Sequence, residues 1–546
     1  MTINHSYDES VFTPSNWVNL IHNIHESLYI VKTNQQAHLG LITAEHFARL
    51  EKSYSLTVVG TLPSLLPKHL GDPAFLKTHH IHFPYIVGEM ANGIATADMV
   101  IAAAKGGMLG FFGAAGLMPH IVEKNIDRIQ HALPYPYSWG SNLIHSPNEP
   151  QLEEAITNLY LHHQVRRISA SAYMALSPHI VRYAATGLRL DPSGKICRQN
   201  YIFAKTSRFE VVKHFISPAP ENILNQLVQQ GKLTSEEAQL AKHIPIAEDI
   251  TIEADSAGHT DNRPLVALFP TIHRLAEQIA VQHQYTTPLR LGAAGGLGTP
   301  AAIAAAFTLG AAYVLTGSIN QSAVESGLSL TAKEMLLQAD LTDVMMAPAA
   351  DMFELGVKLQ VLKRGTLFGM RAVKLYELYT RYDSLETLPD AEKTKLETQI
   401  FGANLKNIWE STREFFSERD AQQITRAEQH PKHRMALVFR WYLGLSSHWA
   451  IAGDTNRKID YQIWCGPAMG AFNKWVDGSF LADLHARTVE QIGRNLLEGA
   501  AVILRAQHAR HQGLGMPAAA FDYRPRVMNH HSNISPLDTP SVSNLE

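Results

Sequence analysis

Cysteine is almost missing from this chain: in 546 residues there are two, Cys197 and Cys465. Two cysteines cannot build a disulfide framework or a four-cysteine zinc site, and such scarcity suits a reducing cytosol, so a cytoplasmic protein is expected. An excess of charge of one sign is missing too. With 47 Lys and Arg against 50 Asp and Glu the formal net charge is -3, which gives no electrostatic argument for nucleic acid or an acidic membrane as partner. Long apolar runs are also lacking. One of the longest, Met99 to Met118, is broken by Lys105 and several glycines, which argues against a membrane span. The first residues, MTINHSYDES, have neither a basic nor an apolar region, so they do not read as a signal peptide.

What is present is a globular composition, 45% hydrophobic and 18% charged. Residues 1–76 carry short mixed patterns and read as a small N-terminal domain. From there to about 330, short apolar strands alternate with amphipathic helices, the mark of a parallel sheet. Eight strand candidates occur: HFPYIVGEM, GMLGFFG, YSWGSNLI, RRISASAY, YIFAKTS, DITIEAD, LRLGAAGG and AYVLTGS. The count of eight, with no GxGxxG after the first strand, favours a (β/α)₈ TIM barrel over an open doubly wound sheet. Residues 331–480 read as a helical domain inserted into this α/β fold. A last amphipathic helix within 481–511 returns to the barrel as its eighth. Residues 512–546, rich in Pro, Ser and Asn without periodicity, read as a disordered tail.

The strongest local signal is LGAAGGLGTPAAIAAAFTLGAAYVLTGSIN. It holds two glycine-rich strand ends one helix apart, at the seventh and eighth units. In barrels that position forms a phosphate site, because glycines let backbone N–H groups approach phosphate oxygens beside a helix N-terminus. Gly295, Gly296, Gly317 and Ser318 are the candidates, with tight βα turns as the plain alternative. At the first strand's end Met90, Ala91, Asn92 and Gly93 are small or flexible enough to take a flat ring, and a turn before the Thr96 cap explains them equally well. Glu253 and His259 lie in TIEADSAGHTDNRP at the sixth strand's carboxyl end, the catalytic side of a barrel, where a histidine can trade protons near neutral pH. Lys205 interrupts an apolar strand and needs a partner there, a reduced flavin anion or a neighbouring carboxylate. Asn142, at the third strand's end, is a neutral hydrogen-bonding group.

Two other features carry less. His79, His80 and His82 resemble metal ligands, but adjacent residues on a strand point oppositely and no carboxylate follows, so no metal is expected. Cys465, in WCGPAMG, has no evident base near it in sequence and reads as packing.

Taken together, ADSAGHTDNRP, GAAGGLGTP…TGSINQSAVESG, MAPAADMFELGVKLQVLKRG, RAVKLYELYTRYDSL, FRWYLGLSSHWA and DYQIWCGPAMGAFNKW resemble one family. It is the FMN-dependent, trans-acting enoyl reductases of bacterial polyketide and polyunsaturated fatty acid synthases, relatives of the nitronate monooxygenases, over most of the chain from about Trp17 to Arg505. The resemblance implies NADPH as hydride donor, FMN as the bound flavin, and an enoyl thioester delivered on an acyl carrier protein. It implies that Gly295, Gly296, Gly317 and Ser318 hold the FMN phosphate. Met90, Asn92, Gly93, Asn142, Lys205 and Glu253 would meet the ring, and His259 and Lys205 would be catalytic. The departure is DSAGH where many relatives have EAGGH, which leaves Asp255 and Ser256 without a clear role. Lys363, Arg364, Arg371 and Lys374 are candidates to meet an acidic carrier protein or synthase module, and a homodimer is left open. A nitronate monooxygenase activity and an inactive docking component of a synthase are the competing readings.

Overall fold

The computed structural model describes residues 9–33, 38–50, 56–134, 136–145 and 149–529. Apolar runs too short for helices become strands buried on both faces, and each of the eight expected segments supplies one. They are β1 (Tyr85–Val87), β2 (Leu109–Phe112), β3 (Gly140–Ile144), β4 (Arg167–Ser171), β5 (Tyr201–Thr206), β6 (Asp249–Glu253), β7 (Arg290–Ala294) and β8 (Tyr313–Thr316). All pair in parallel, each with the next in chain order, and β8 closes on β1. Helices follow the strands on signals visible in sequence. Thr96 Oγ1 accepts from Met99 N at 3.0 Å to start Ala97–Lys105, and Thr299 with Pro300 opens Pro300–Thr308.

The helix Val489–His511 packs against Pro300–Thr308 and Ala97–Lys105, in the gap between the seventh and first units. Two glycines let it come close. A Cβ on Gly493 would stand 2.6 Å from Met108 Sδ, and one on Gly499 would stand 2.7 Å from Pro300. Its far end carries the N-terminal unit, an antiparallel sheet of Leu39–Thr43, Leu28–Thr33 and Leu56–Leu62. There Trp17, Ile21 and Leu28 share a core with Ala501, Val502 and Ala506. Residues 513–529, expected to lack structure, pack onto the same helix. Leu514, Ala520, Tyr523 and Met528 are buried, and the Gln491 side chain pairs with the Met528 backbone in both directions. Their apolar contacts are tertiary, so no local periodicity announces them. The rest of the expected tail, 530–546, lies outside the described residues.

The segment between β8 and the last helix differs from the all-helical expectation at its start. Val344–Pro348 and Lys358–Leu362 form an antiparallel hairpin, and Gly258–His259 from the barrel adds a short third strand. Helices follow, including Phe368–Arg381, Leu405–Arg419 and Pro431–Ala452. They enclose a second core of Phe353, Phe368, Leu375, Phe401, Phe439 and Tyr442. Among the described residues no helix is long and apolar enough to cross a membrane.

The helix Pro73–His79 plugs the bottom of the barrel, with Phe75 stacked on Tyr313 at 4.3 Å. Beside it, His79 Nε2 donates to Asp249 at 3.0 Å while Nδ1 accepts from Arg167 Nε at 3.2 Å. Both ring nitrogens are thus used by a neutral imidazole, not by a metal. Burial depresses the His79 pKa from 6.5 to about 4 despite Asp249. Burial works against the Asp249 carboxylate as well, but Arg290 and His79 hold its carboxyl well below the usual range. A neutral buried histidine stabilises fully above its unfolded pKa of 6.5, and that stability drains as pH falls towards about 4. The loss is on the order of 3 kcal/mol. We expect the thermal midpoint to fall across this window and to fall less steeply in His79→Asn, as a calorimetric pH series on both proteins will show.

Candidate active site

At the other end of the barrel the strand ends converge on Lys205. This side chain leaves β5 into the mouth, and its Nζ stands 3.0 Å from Glu89 Oε1 and 3.3 Å from Glu253 Oε1. Burial disfavours the ammonium, yet the two carboxylates outweigh it and raise the Lys205 pKa, so the lysine stays charged. Of the two partners read from sequence, carboxylates are therefore the ones in place. Glu253 is among the residues expected from sequence. Glu89, in GEMANG, is not, because a lone carboxylate at a strand end gives no local signal. Ser171 Oγ donates to Glu89 Oε1 at 3.2 Å and Ser256 Oγ to Glu253 Oε1 at 3.1 Å. Glu89 Oε2 is buried with no partner among the described residues. Asn142 lies close by, its amide donating to Ser169 O at 3.0 Å and to Ser171 Oγ at 3.1 Å.

Across the mouth, Gly295 and Gly296 turn out of β7 with φ of +87° and +72°, where a side chain would be strained. A Cβ on Gly295 would stand 2.8 Å from the Ala254 carbonyl carbon, whereas at Gly296 it would meet open space. Gly317 and Ser318 follow β8, and Met90 Sδ is 4.0 Å from where a Gly317 Cβ would be. Among the described residues the N–H groups of Gly295, Gly296, Gly317 and Ser318 donate to no protein acceptor. Ala468 N–H is free in the same sense, at the start of the helix Pro467–Val476. That helix abuts these loops: Gly466 N donates to Ser318 Oγ at 3.2 Å, and a Cβ on Gly298 would collide with Ala468 O. Cys465 is buried, its thiol pushed up to about 12 by burial, and packs as expected. The helix start beside it is a feature that local sequence does not announce.

Asn92 and Gly93 both have positive φ, 56° and 72°. They are held by N–H bonds to Ala115 O and Gly113 O, at 2.8 and 2.9 Å. The Asn92 amide reaches out of the barrel to Ser447 Oγ at 3.3 Å. His259 is fixed from the other side, its backbone paired to Leu359 of the hairpin. Its Nε2 stands 3.1 Å from Asp351 Oδ1. Burial depresses its basicity, but Asp351, with help from Glu253, raises the pKa above the ordinary value against Lys205. The side chains of His259 and Asp351 keep 38% and 49% of their surface accessible. Asp255 and Ser256 also find roles. Asp255 Oδ1 accepts from Gln360 and Asn262, each at 2.8 Å, and Ser256 orients Glu253.

The structure thus brings Met90, Asn92, Gly93, Asn142, Lys205, Glu253, His259, Gly295, Gly296, Gly317 and Ser318 to one end of the barrel, and adds Glu89, Ser171, Asp351 and Gly466. Of the basic residues expected to face a carrier protein, Lys363 is exposed and the other three have carboxylate partners within the chain. Arg371 is bonded to the buried Asp460. Arg364 pairs with Asp343 at 3.1 Å and Lys374 with Glu392 at 3.2 Å.

Residues 73–387 match the nitronate monooxygenase family, and the chain belongs to it. Residues 382–461 match the inserted helical domain of acyl-carrier-protein S-malonyltransferase. More particularly, the fold follows that of the enoyl reductase domain of MlnA, from the macrolactin biosynthesis cluster of Bacillus amyloliquefaciens. The TM-score is 0.78 at 38% identity, over 81% of this chain and 99% of that one. A polyunsaturated fatty acid synthase component of Thraustochytrium sp. is 45% identical over 467 residues, 84% of this chain and 31% of that protein. Polyketide biosynthesis protein PksE of Bacillus subtilis is 44% identical over 453 residues, 83% of this chain and 58% of that protein. The chain spans less than two thirds of each of these two relatives. The resemblance read from sequence stands.

Removing the shared cation should expose the cost of the mouth. Lys205→Met leaves Glu89 and Glu253 facing each other without a counter-charge, and should cost about 3 kcal/mol in denaturant unfolding. Glu89→Gln added to it should recover part of the loss.

Proposed function

We propose that this chain is an FMN- and NADPH-dependent enoyl reductase that saturates the α,β double bond of acyl thioesters held on an acyl carrier protein, in polyketide or polyunsaturated fatty acid synthesis. The observation that carries this reading is the likeness to an enoyl reductase domain over 99% of that domain's length. The residues at the mouth fit a phosphorylated flavin. Free N–H groups at Gly295, Gly296, Gly317 and Ser318 suit phosphate oxygens, and the start of Pro467–Val476 adds a favourable dipole end. Glu89 Oε2 is an unused acceptor suited to a ring N–H, while Met90, Asn92, Gly93, Asn142, Lys205 and Glu253 supply the remaining wall.

Bound FMN supplies hydride chemistry between a reduced nicotinamide and the enoyl β-carbon. The chain's own residues do the rest. One proton must reach the α-carbon for every hydride added, and His259 is the accessible group positioned to hold it. Asp351 keeps His259 protonated to higher pH and fixes its ring. Lys205 supplies positive charge beside the reacting region without giving up its proton.

The deciding experiment is to reduce the yellow purified protein with NADPH without air, then add a crotonyl thioester on carrier protein. Return of the flavin colour with the saturated product is expected. Oxidised flavin that is bleached by an alkyl nitronate without air, in a protein whose reduced flavin the thioester does not reoxidise, would instead support nitronate oxidation, and a flavin-free protein that binds carrier protein a docking role. Gly317→Val, which fills the cradle, should purify with little flavin. His259→Ala should slow thioester reduction by about 10²–10⁴. Because the acid form of a histidine with raised pKa is lost as pH rises, turnover should have an alkaline limb, and Asp351→Asn should move that limb to lower pH.

A further inference from the structure

The helix Pro431–Ala452 carries one glycine, Gly444, well inside its length. Glycine weakens a helix interior relative to alanine, so its presence there calls for a reason. Backbone conformation supplies none, since Gly444 is not among the residues of positive φ. Packing within the chain supplies none either. A Cβ at 444 would meet nothing within 4 Å, while one at Gly110, Gly493 or Gly499 would crowd a neighbour. The helix face that carries Gly444 touches the site on both sides of it. Four residues earlier, Arg440 Nη1 stands 3.4 Å from Glu354, in the same loop as Asp351. Three residues later, Ser447 Oγ accepts from Asn92 at 3.3 Å. Positions 440, 444 and 447 share one helix face. That face runs from the His259–Asp351 side of the mouth to the Asn92 side, and Gly444 is its bare point.

We infer that Gly444 is a specificity-determining residue: its missing side chain leaves the passage through which the acyl chain of the thioester lies, and its size limits the chain length accepted. The inference rests on the enoyl-reductase reading for the identity of the ligand. It calls for no change in the flavin site, whose named residues lie on the barrel loops and the start of Pro467–Val476.

The test is a graded series, Gly444→Ala, Gly444→Val and Gly444→Leu, in the full chain. Binding of saturated butyryl- and octanoyl-pantetheine is measured by calorimetry, alongside turnover of crotonyl and octenoyl thioesters. Flavin content should hold across the series, and Gly444→Ala should melt at or above the parent temperature. Preference for the eight-carbon over the four-carbon ligand should fall with side-chain volume, by about tenfold or more at Leu. A preference unchanged within about twofold at Val and Leu, or flavin lost already at Ala, would overturn the inference. Saturated thioesters that bind with the expected gradient while enoyl thioesters are not reduced would uphold it for binding and sink the reductase reading. Parent protein that binds neither thioester would sink the inference.

Discussion

A lysine ammonium cannot sit unpaired in the mouth of a barrel, and Lys205 is where this constraint is met. Its two carboxylate partners come from the ends of β1 and β6, so one cation ties three strand ends together. The consequences spread outward. Glu89 is held by Ser171 and Glu253 by Ser256, and Ser256 opens the loop that carries His259. The charge felt by His259 is then a sum of Asp351, Glu253 and Lys205 with burial set against them. Two carboxylates around one ammonium leave a net negative mouth with one unused acceptor at Glu89 Oε2. Such an arrangement is costly in an empty core and useful where a polar ring is to be oriented.

The barrel alone does not complete this site. Asp351 and Gln360 come from the hairpin, Ser447 from the long helix, and Gly466 from the turn before Pro467–Val476. Together they meet the loops that follow β1, β6 and β8. The insertion is therefore joined to the mouth by polar contacts around its edge, and its own apolar core lies behind them. Barrel enzymes place chemistry on loops after their strands; here the whole segment between β8 and the last helix serves as one such loop.

Sequence made legible what is local. The eight strands are readable because burial on both faces demands continuous apolar runs, and the glycine turn after β7 because glycine is needed at φ of +87° and +72°. What escaped depends on partners far away in the chain. Asp351 in MAPAADMF looks like any loop aspartate until the hairpin brings it to His259, 92 residues earlier. Gly466 in WCGP gives no sign by itself that it meets the barrel mouth, because its partner Ser318 lies 148 residues before it. The hairpin strands alternate weakly, since they form a small sheet whose third member is two residues long. Arg371 and Lys374 read as a basic face, but their carboxylate partners lie on other elements. Tyr523 and Met528 sit in a segment whose composition suggests no core, yet both are buried against the last helix.

The two ends of the barrel give the same pair of side chains opposite surroundings. His79 and His259 each face an aspartate, at 3.0 and 3.1 Å, so the aspartate alone decides nothing. At the bottom, the second ring nitrogen is taken by Arg167, the ring has no exposed surface, and burial drives its pKa down to about 4. Protonation there would set a new N–H against a guanidinium. At the mouth the carboxylate raises the histidine's pKa, and the side chain keeps 38% of its surface accessible. A proton on His259 is thus both stabilised and within reach of a ligand, while a proton on His79 is neither. The same pair of side chains, placed at opposite ends of the strands, is closed off in one case and accessible in the other.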